Sequence, residues 1–413
     1  MAPLMRNVSR AAKRASVRDR LGVIGLVAGV ALVATACGST SNVNAASNGA
    51  APTSSSAGSV SFGTQICSDA SGQKPGYTNG VAEIAGGAKT LSGAGSTFVN
   101  PIMSIWSKQY SGLAAGVQVA YQSIGSGGGV AKITAKTVDF AASDTPLKDS
   151  EQAAAPGPIL HIPLTLGAVV PAYNLKGIPS GLKFDGSALG KIFAGEITSW
   201  DDPALTALNP GVSLPHEPIA VAHRSDGSGT TAVWTDYLTK VSPAWVAKLG
   251  GTDKSFGKDV AWPVGIGGKG NEGVSGIVGQ TDGGLGYVEL AYAKAQNLTY
   301  GQVKNQAGNF IEPCVATISK GTDGVVYPAD LRASLTNGPD ANAYPITGTT
   351  YGLVYETQTD AAKGAALVNF LSWVLTTGQD DAAQIDYAPL GTDLQKLAVG
   401  QLKKMTVAGT AVS

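Results

Sequence analysis

The chain has 413 residues, 43% of them hydrophobic and 14% charged, which is enough apolar material for one large or two medium domains with proper cores. Lys plus Arg and Asp plus Glu both number 29, so the formal net charge is zero. With no long run of one sign after the first twenty residues, the composition argues against nucleic acid as a partner, because that recognition rests on clustered cations.

The N-terminus reads as an address. Arg6, Arg10, Lys13, Arg14, Arg18 and Arg20 precede a short apolar stretch from Leu21 to Ala34, too short for a transmembrane helix of ~20 apolar residues. Residues 1–36 are therefore expected to be a signal peptide. Ala34-Thr35-Ala36 followed by Cys37 resembles the lipobox of bacterial lipoproteins, in which the cysteine is joined to diacylglycerol. One position departs from that pattern, Ala34 standing where Leu is usual, and an ordinary cleaved signal with a chance cysteine is the alternative. Either way the mature chain is exported; with Cys37 lipidated, it sits on the outer face of the cell membrane. The remaining cysteines, Cys67 and Cys314, form an even pair. They either join as a disulfide or stay free, since sequence does not show whether their α-carbons approach. Residues 37–59 carry the lipidated cysteine and a Ser/Asn/Ala/Gly tether, and 60–89 form an extension to which no function is assigned.

Regular structure begins at about Thr90. Asn100-Pro101 starts a helix that carries Ile102, Ile105, Trp106 and Tyr110 at helical spacing. A β-branched run from Val117 to Tyr121 leads into Gly125-Ser126-Gly127-Gly128-Gly129, and Val130, Ile133 and Thr134 continue as a short helix. Val138, Phe140 and Ala142 then alternate toward Ser143-Asp144. Strand, glycine-rich turn, helix, strand indicates an α/β fold with a parallel or mixed sheet. Two separate strands are expected next, Ile159 to Leu166 and Ala168 to Tyr173, and then a helix with Leu189, Ile192 and Phe193 on its buried stripe. A short strand, Ile219 to Ala222, runs into His223-Arg224-Ser225-Asp226-Gly227-Ser228-Gly229-Thr230, and Val233, Trp234, Tyr237 and Leu238 mark one helix face after it. Tyr351 to Tyr355 reads as a strand and Ala361 to Leu375 as an amphipathic helix. No internal repeat is visible.

Three turns share one design: Gly93 to Phe98, Gly125 to Gly129 and Asp226 to Thr230. Each places glycine and hydroxyl residues just before a helix, where unpaired N–H groups and the helix dipole favour an anion. Any one of them alone is more simply a helix cap. Three together, with Arg224 supplying a fork of donors matched to an oxyanion and Asp226 placed to orient it, point to a small tetrahedral anion. Trp106, Tyr110 and Trp234 read as core. His161, His216 and His223 lack metal-ligand spacing, so no metal or cofactor is expected.

The segments LSGAGSTFVNP, YQSIGSGGGVAKITAKTVDFAASDTPL, IFAGEITSWDDPAL, ALNPGVSLP, HRSDGSGTT and YPITGTTYGLVYE resemble the phosphate-binding proteins of bacterial phosphate-specific ABC transporters. The similarity runs in one order from about Leu91 to the last predicted helices. It implies the type II periplasmic-binding-protein fold, two α/β lobes with mixed sheets that close on a ligand in the cleft between them. Lobe I would comprise 90–162 and 345–413, and lobe II 163–344. It further implies phosphate contacts from Thr97, Phe98 (through its backbone), Ser126 and Asp144, and from the opposite lobe Arg224, Ser228, Gly229 and Thr230. The implied partners are inorganic phosphate, the permease and ATPase subunits of the transporter, and the membrane through the lipid anchor, with the binding protein itself a monomer.

A carboxylate beside an anion needs a reason. Phosphate near neutral pH keeps at least one proton, its second pKa being about 7, close to that of phosphate esters. Its P–OH can therefore donate to Asp144, whereas sulfate has no proton to offer. Two rival readings remain: a binding protein for another oxyanion, and a phosphohydrolase using the same pocket. The chain has neither H-E-x-x-H, G-x-S-x-G nor GxxxxGK[ST], and Gly227-Ser-Gly229-Thr-Thr-Ala232 is only a loose dinucleotide fingerprint.

Overall fold

The computed structural model describes Cys67, residues 77–113 and residues 117–413. The expected signal peptide, the lipidation site at Cys37, the tether and most of the 60–89 extension lie outside the described residues. What is described of the extension packs on C-terminal helices: Thr78 Oγ1 donates to Gln395 Oε1 at 2.6 Å and Ile84 N to Asn369 Oδ1 at 2.9 Å. Cys67 is joined to Cys314 by a disulfide, with α-carbons 5.9 Å apart.

The first strand, β1 (Thr90–Gly95), buries Leu91 on one face and Ala94 on the other. Helix α1 (Asn100–Leu113) follows, with Ile102, Met103, Trp106 and Tyr110 turned to the core as their spacing predicts. Next come β2 (Gln118–Ser123), α2 (Ser126–Thr134) and β3 (Phe140–Ser143). Both β2 and β3 pair with β1 in parallel, on either side of it.

β4 (Ile159–Asn174) is one continuous strand of 16 residues, buried along almost its whole length. This corrects the expectation of two strands broken at Gly167. That glycine does not interrupt the strand; it makes room, because a Cβ there would lie 2.6 Å from the ring of Phe98. Downstream lie β5 (Ala220–Arg224), α3 (Gly229–Val241), β6 (Ile266–Gly268), α4 (Gly270–Gln280), β7 (Gly284–Glu289), β8 (Thr347–Tyr355), α5 (Ala361–Leu375) and α6 (Thr392–Leu402).

The principal sheet is mixed and runs in the order β2-β1-β3-β8-β4-β7-β5-β6, with Thr299–Tyr300 also paired to β4. β4 is its spine. Residues 159–168 pair antiparallel with β8, and residues 169–174 pair antiparallel with β7. The same strand thus serves two half-sheets, one holding β1–β3 and the other β5–β7. The helices cover these half-sheets. α5 alone buries Leu367, Phe370, Leu371 and Val374 completely, each worth about 1.5–3 kcal/mol of apolar transfer. Among the described residues no helix is long and apolar enough to cross a membrane.

Candidate functional site

Parallel strands deliver their C-terminal ends, and the helix starts that follow them, to one edge of a sheet. Here β1, β2 and β3 do so from one half-sheet, and β5 and β6 from the other. Glycine lets the two groups of turns meet. Gly127 N donates to Gly227 O at 2.8 Å, joining the second and third glycine-rich turns by backbone alone. Gly125, at φ +84°, faces the Asp226 carboxylate so closely that a Cβ would lie 2.3 Å from Oδ2. A Cβ on Gly229 would lie 2.3 Å from Asp144 Oδ2 and 2.5 Å from Ser126 Oγ. Thr97, Ser126, Asp144, Arg224, Ser228, Gly229 and Thr230 therefore converge on one buried spot. Gly229 is buried, and each of the other six residues is at most 3% exposed.

Asp144, just beyond the end of β3, is the acceptor in this site. Ser96 Oγ donates to its carboxylate, lying 2.6 Å from each oxygen, and Thr350 Oγ1 on β8 donates to Oδ1 at 2.7 Å. Ser126 Oγ adds a longer bond to Oδ2 at 3.3 Å. Burial pushes its pKa up to about 6, against the opposing pull of the three hydroxyls and the Arg224 charge. It is thus largely ionised at neutral pH.

Arg224, at the end of β5, is the fixed cation. Asp226 accepts from Nε at 2.8 Å and from Nη2 at 2.6 Å, holding one edge of the guanidinium in a fork. Gly270 N also donates to Asp226 Oδ1, at 3.0 Å. Burial alone would raise the Asp226 carboxyl, but the Arg224 pair and this N–H hold it below its ordinary value. Arg224 Nη1 reaches Thr230 Oγ1 at 3.3 Å. Of the five guanidinium N–H groups, these contacts engage three, leaving one on Nη1 and one on Nη2. Ser228 caps α3 by accepting from Thr231 N at 3.0 Å. A hydroxyl that accepts a cap bond keeps its own proton for another partner.

Phe98 contributes no polar side chain. Its ring is buried beside Tyr387, at 6.2 Å between centroids, and only its backbone lies in the first turn. Trp106, Tyr110 and Trp234 are core residues as expected. His223 stacks on Trp262, with centroids 4.9 Å apart, and its Nδ1 lies 3.0 Å from Arg224 O. His161 is buried and accepts from Leu147 N through Nε2 at 3.0 Å. Among the described residues no His, Cys, Asp or Glu cluster is arranged to hold a metal ion.

Three residues of the site, Ser96, Thr350 and Asn271, are not singled out by the sequence pattern. Ser96 lies inside the first glycine-rich turn, and Asn271 follows Gly268-Lys269-Gly270 at the start of α4, so a fourth turn of the same design was available as a signal. Thr350 sits mid-strand, 206 residues from its partner, and carries none. A cavity of about 310 Å³ opens beside the site, lined by Asp144, Leu147, Val233, Lys258, Arg332 and Thr349 among others. At its rim Lys258 pairs with Glu151 at 2.8 Å and Arg332 with Asp149 at 2.7 Å.

Residues 80–377 match the model of the PBP superfamily domain. The phosphate-binding protein PstS of Xylella fastidiosa is 41% identical over 309 residues, covering 74% of this chain and 83% of that protein. PstS of Haemophilus influenzae is 40% identical, covering 76% and 93%. PstS3 of Mycobacterium bovis is 32% identical over 389 residues, covering 90% and 95%. Among solved structures, a phosphate binding protein from Stenotrophomonas maltophilia superposes with a TM-score of 0.58 at 19% identity, covering 76% of this chain and 94% of that one. The phosphate-bound periplasmic protein PfluDING gives 0.59 at 20%, covering 74% and 92%. These likenesses show the type II periplasmic-binding-protein fold, and with the sequence relatives they establish that the chain belongs to the PBP superfamily and, within it, to the family of the phosphate-binding protein PstS.

Proposed function

We propose that the chain captures inorganic phosphate outside the cytoplasm and hands it to the permease of a phosphate ABC transporter. One observation carries this reading. A buried, ionised carboxylate and a buried, clamped guanidinium face the same spot, with serine and threonine hydroxyls between them. The arginine, the hydroxyls and the helix starts supply donors to an oxyanion, and Asp144 accepts the hydrogen that phosphate retains. A fully deprotonated oxyanion would set an acceptor against an acceptor in a dry site.

The contacts we assign are the Thr97 hydroxyl, the Phe98 and Gly229 N–H groups, Ser126, Asp144, Arg224, Ser228 and Thr230. Asp226 keeps the guanidinium in register. The chain acts as two lobes, 90–162 with 345–413 and 163–344, and β4 crosses between them, changing partners between Ala168 and Val169. Closure removes water from the anion and strengthens its hydrogen bonds. Signal cleavage and lipidation at Cys37 would tether the protein to the outer face of the membrane as a monomer within reach of the permease. The role is capture and delivery, without turnover.

Isothermal titration of phosphate-freed protein tests this, with phosphate and sulfate in parallel. Saturable 1:1 phosphate binding with sulfate at least ~10⁴-fold weaker is the expected result. Equal affinities would remove Asp144 as the filter, and hydrolysis of a phosphate ester by purified protein would restore the phosphohydrolase reading.

A further inference from the structure

Asn271 is fully buried at the start of α4. Its Oδ1 accepts from Glu289 N at 2.9 Å, which fixes the amide so that Nδ2 faces the site. There Nδ2 lies 2.8 Å from Thr97 Oγ1 and 3.1 Å from Thr230 Oγ1, one hydrogen for each. A hydroxyl oxygen has two acceptor positions and one proton. Thr97 Oγ1 fills its second position with Asn271 N at 3.2 Å, and Thr230 Oγ1 fills its own with Arg224 Nη1 at 3.3 Å. Neither hydroxyl donates to a protein group among the described residues.

We infer that Asn271 is a positioning residue that turns the hydroxyl protons of Thr97 and Thr230 toward the bound anion. The inference rests on the phosphate reading of the site and deepens it. Left to themselves, threonine hydroxyls both donate and accept, and such a lining would accommodate protonated and unprotonated oxygens alike. With their lone pairs occupied by Asn271 and Arg224, these two only donate. The anion then meets donors on this side and a single acceptor, Asp144, on the other. Selection by Asp144 depends on that division, because a second acceptor would give the ligand's hydrogen another place to go. Asn271 also links the first turn to the third, since Thr97 follows β1 and Thr230 lies in α3.

The test is a mutant cycle read by isothermal titration with inorganic phosphate. Asn271→Ala should weaken binding ~30-fold in the wild-type background. In a Thr97→Val/Thr230→Val background the same substitution should cost less than ~3-fold, because the hydroxyls it orients are gone. Equal costs in the two backgrounds would overturn the positioning role while leaving the phosphate reading in place. A wild-type protein that does not bind phosphate would overturn both. If Asn271→Ala does not fold, the isosteric Asn271→Asp replaces the donor by an acceptor, so the hydroxyl protons turn away from the anion. Its loss relative to wild type should be large at pH 8 and shrink toward pH 5 as the new carboxyl gains a proton. Asp144, Arg224, Asp226 and Glu289 are the charged groups around this amide, and the affinity of Asn271→Asp is read against wild type at each pH. A ratio that stays flat from pH 8 to pH 5 would overturn the inference.

Discussion

Asp144→Asn is the perturbation whose consequences the structure sets most tightly. In the ligand-free protein the Asp144 carboxylate is held charged in a buried site, with its pKa raised from 3.8 to about 6. At 1.36 kcal/mol per pH unit, this ionisation costs the folded state ~3 kcal/mol at neutral pH. The sign follows from the direction of the shift. Below the unfolded value near 3.9 the group is protonated in both states and the cost vanishes; it grows as pH rises through 6 and is then constant. Asn keeps the shape, accepts from Ser96 and Thr350 through its oxygen, and carries no charge. Phosphate-free Asp144→Asn should therefore unfold several degrees above wild type at pH 7.5, and the gap should close by pH 4. The same variant should bind phosphate more weakly and sulfate more tightly, because its amide now donates where a P–OH was needed. Thermal unfolding between pH 4 and pH 8, paired with sulfate competition, reads both effects. A variant no more stable than wild type at pH 7.5, or a gap independent of pH, would refute the assignment of Asp144 as a buried charge awaiting a proton donor.

Further outcomes follow from neighbouring features. In the wild-type protein, sulfate should compete better as pH falls below about 6, where a protonated Asp144 can donate to it; competition titrations at pH 8 and pH 5 measure this. Gly229→Ala should weaken phosphate binding ~100-fold or more, since its Cβ would lie 2.3 Å from Asp144 Oδ2. Circular dichroism should find the variant folded, and titration should find its affinity reduced by at least that factor. Thiol titration of the denatured, unreduced protein should detect neither Cys67 nor Cys314, and both after reduction.

Much of this site is written in short segments. The three glycine-rich turns are legible because each combines a local backbone need with hydroxyl side chains at a helix start. Arg224 and Asp226 are legible because only one residue separates the cation from the carboxylate that clamps it. What escapes is the environment of those groups. Nothing local in Thr350 or Ser96 announces that both feed the Asp144 carboxylate, since those meetings are made by β1 and β8 lying on either side of β3. Asn271 is 174 residues from Thr97 and 41 from Thr230. The strand β4 was divisible on paper because glycine ordinarily weakens a strand. Only packing shows that Gly167 is there to admit the Phe98 ring.

The central claim is that donors from both half-sheets and one carboxylate surround a single phosphate. A crystal structure of the phosphate-saturated protein tests it directly. The account predicts density for one tetrahedral anion within hydrogen-bond distance of Thr97, Ser126, Asp144, Arg224, Ser228 and Thr230, with an oxygen of the anion close to the Asp144 carboxylate. Phosphate bound elsewhere, or bound with Asp144 turned away from it, would contradict the account.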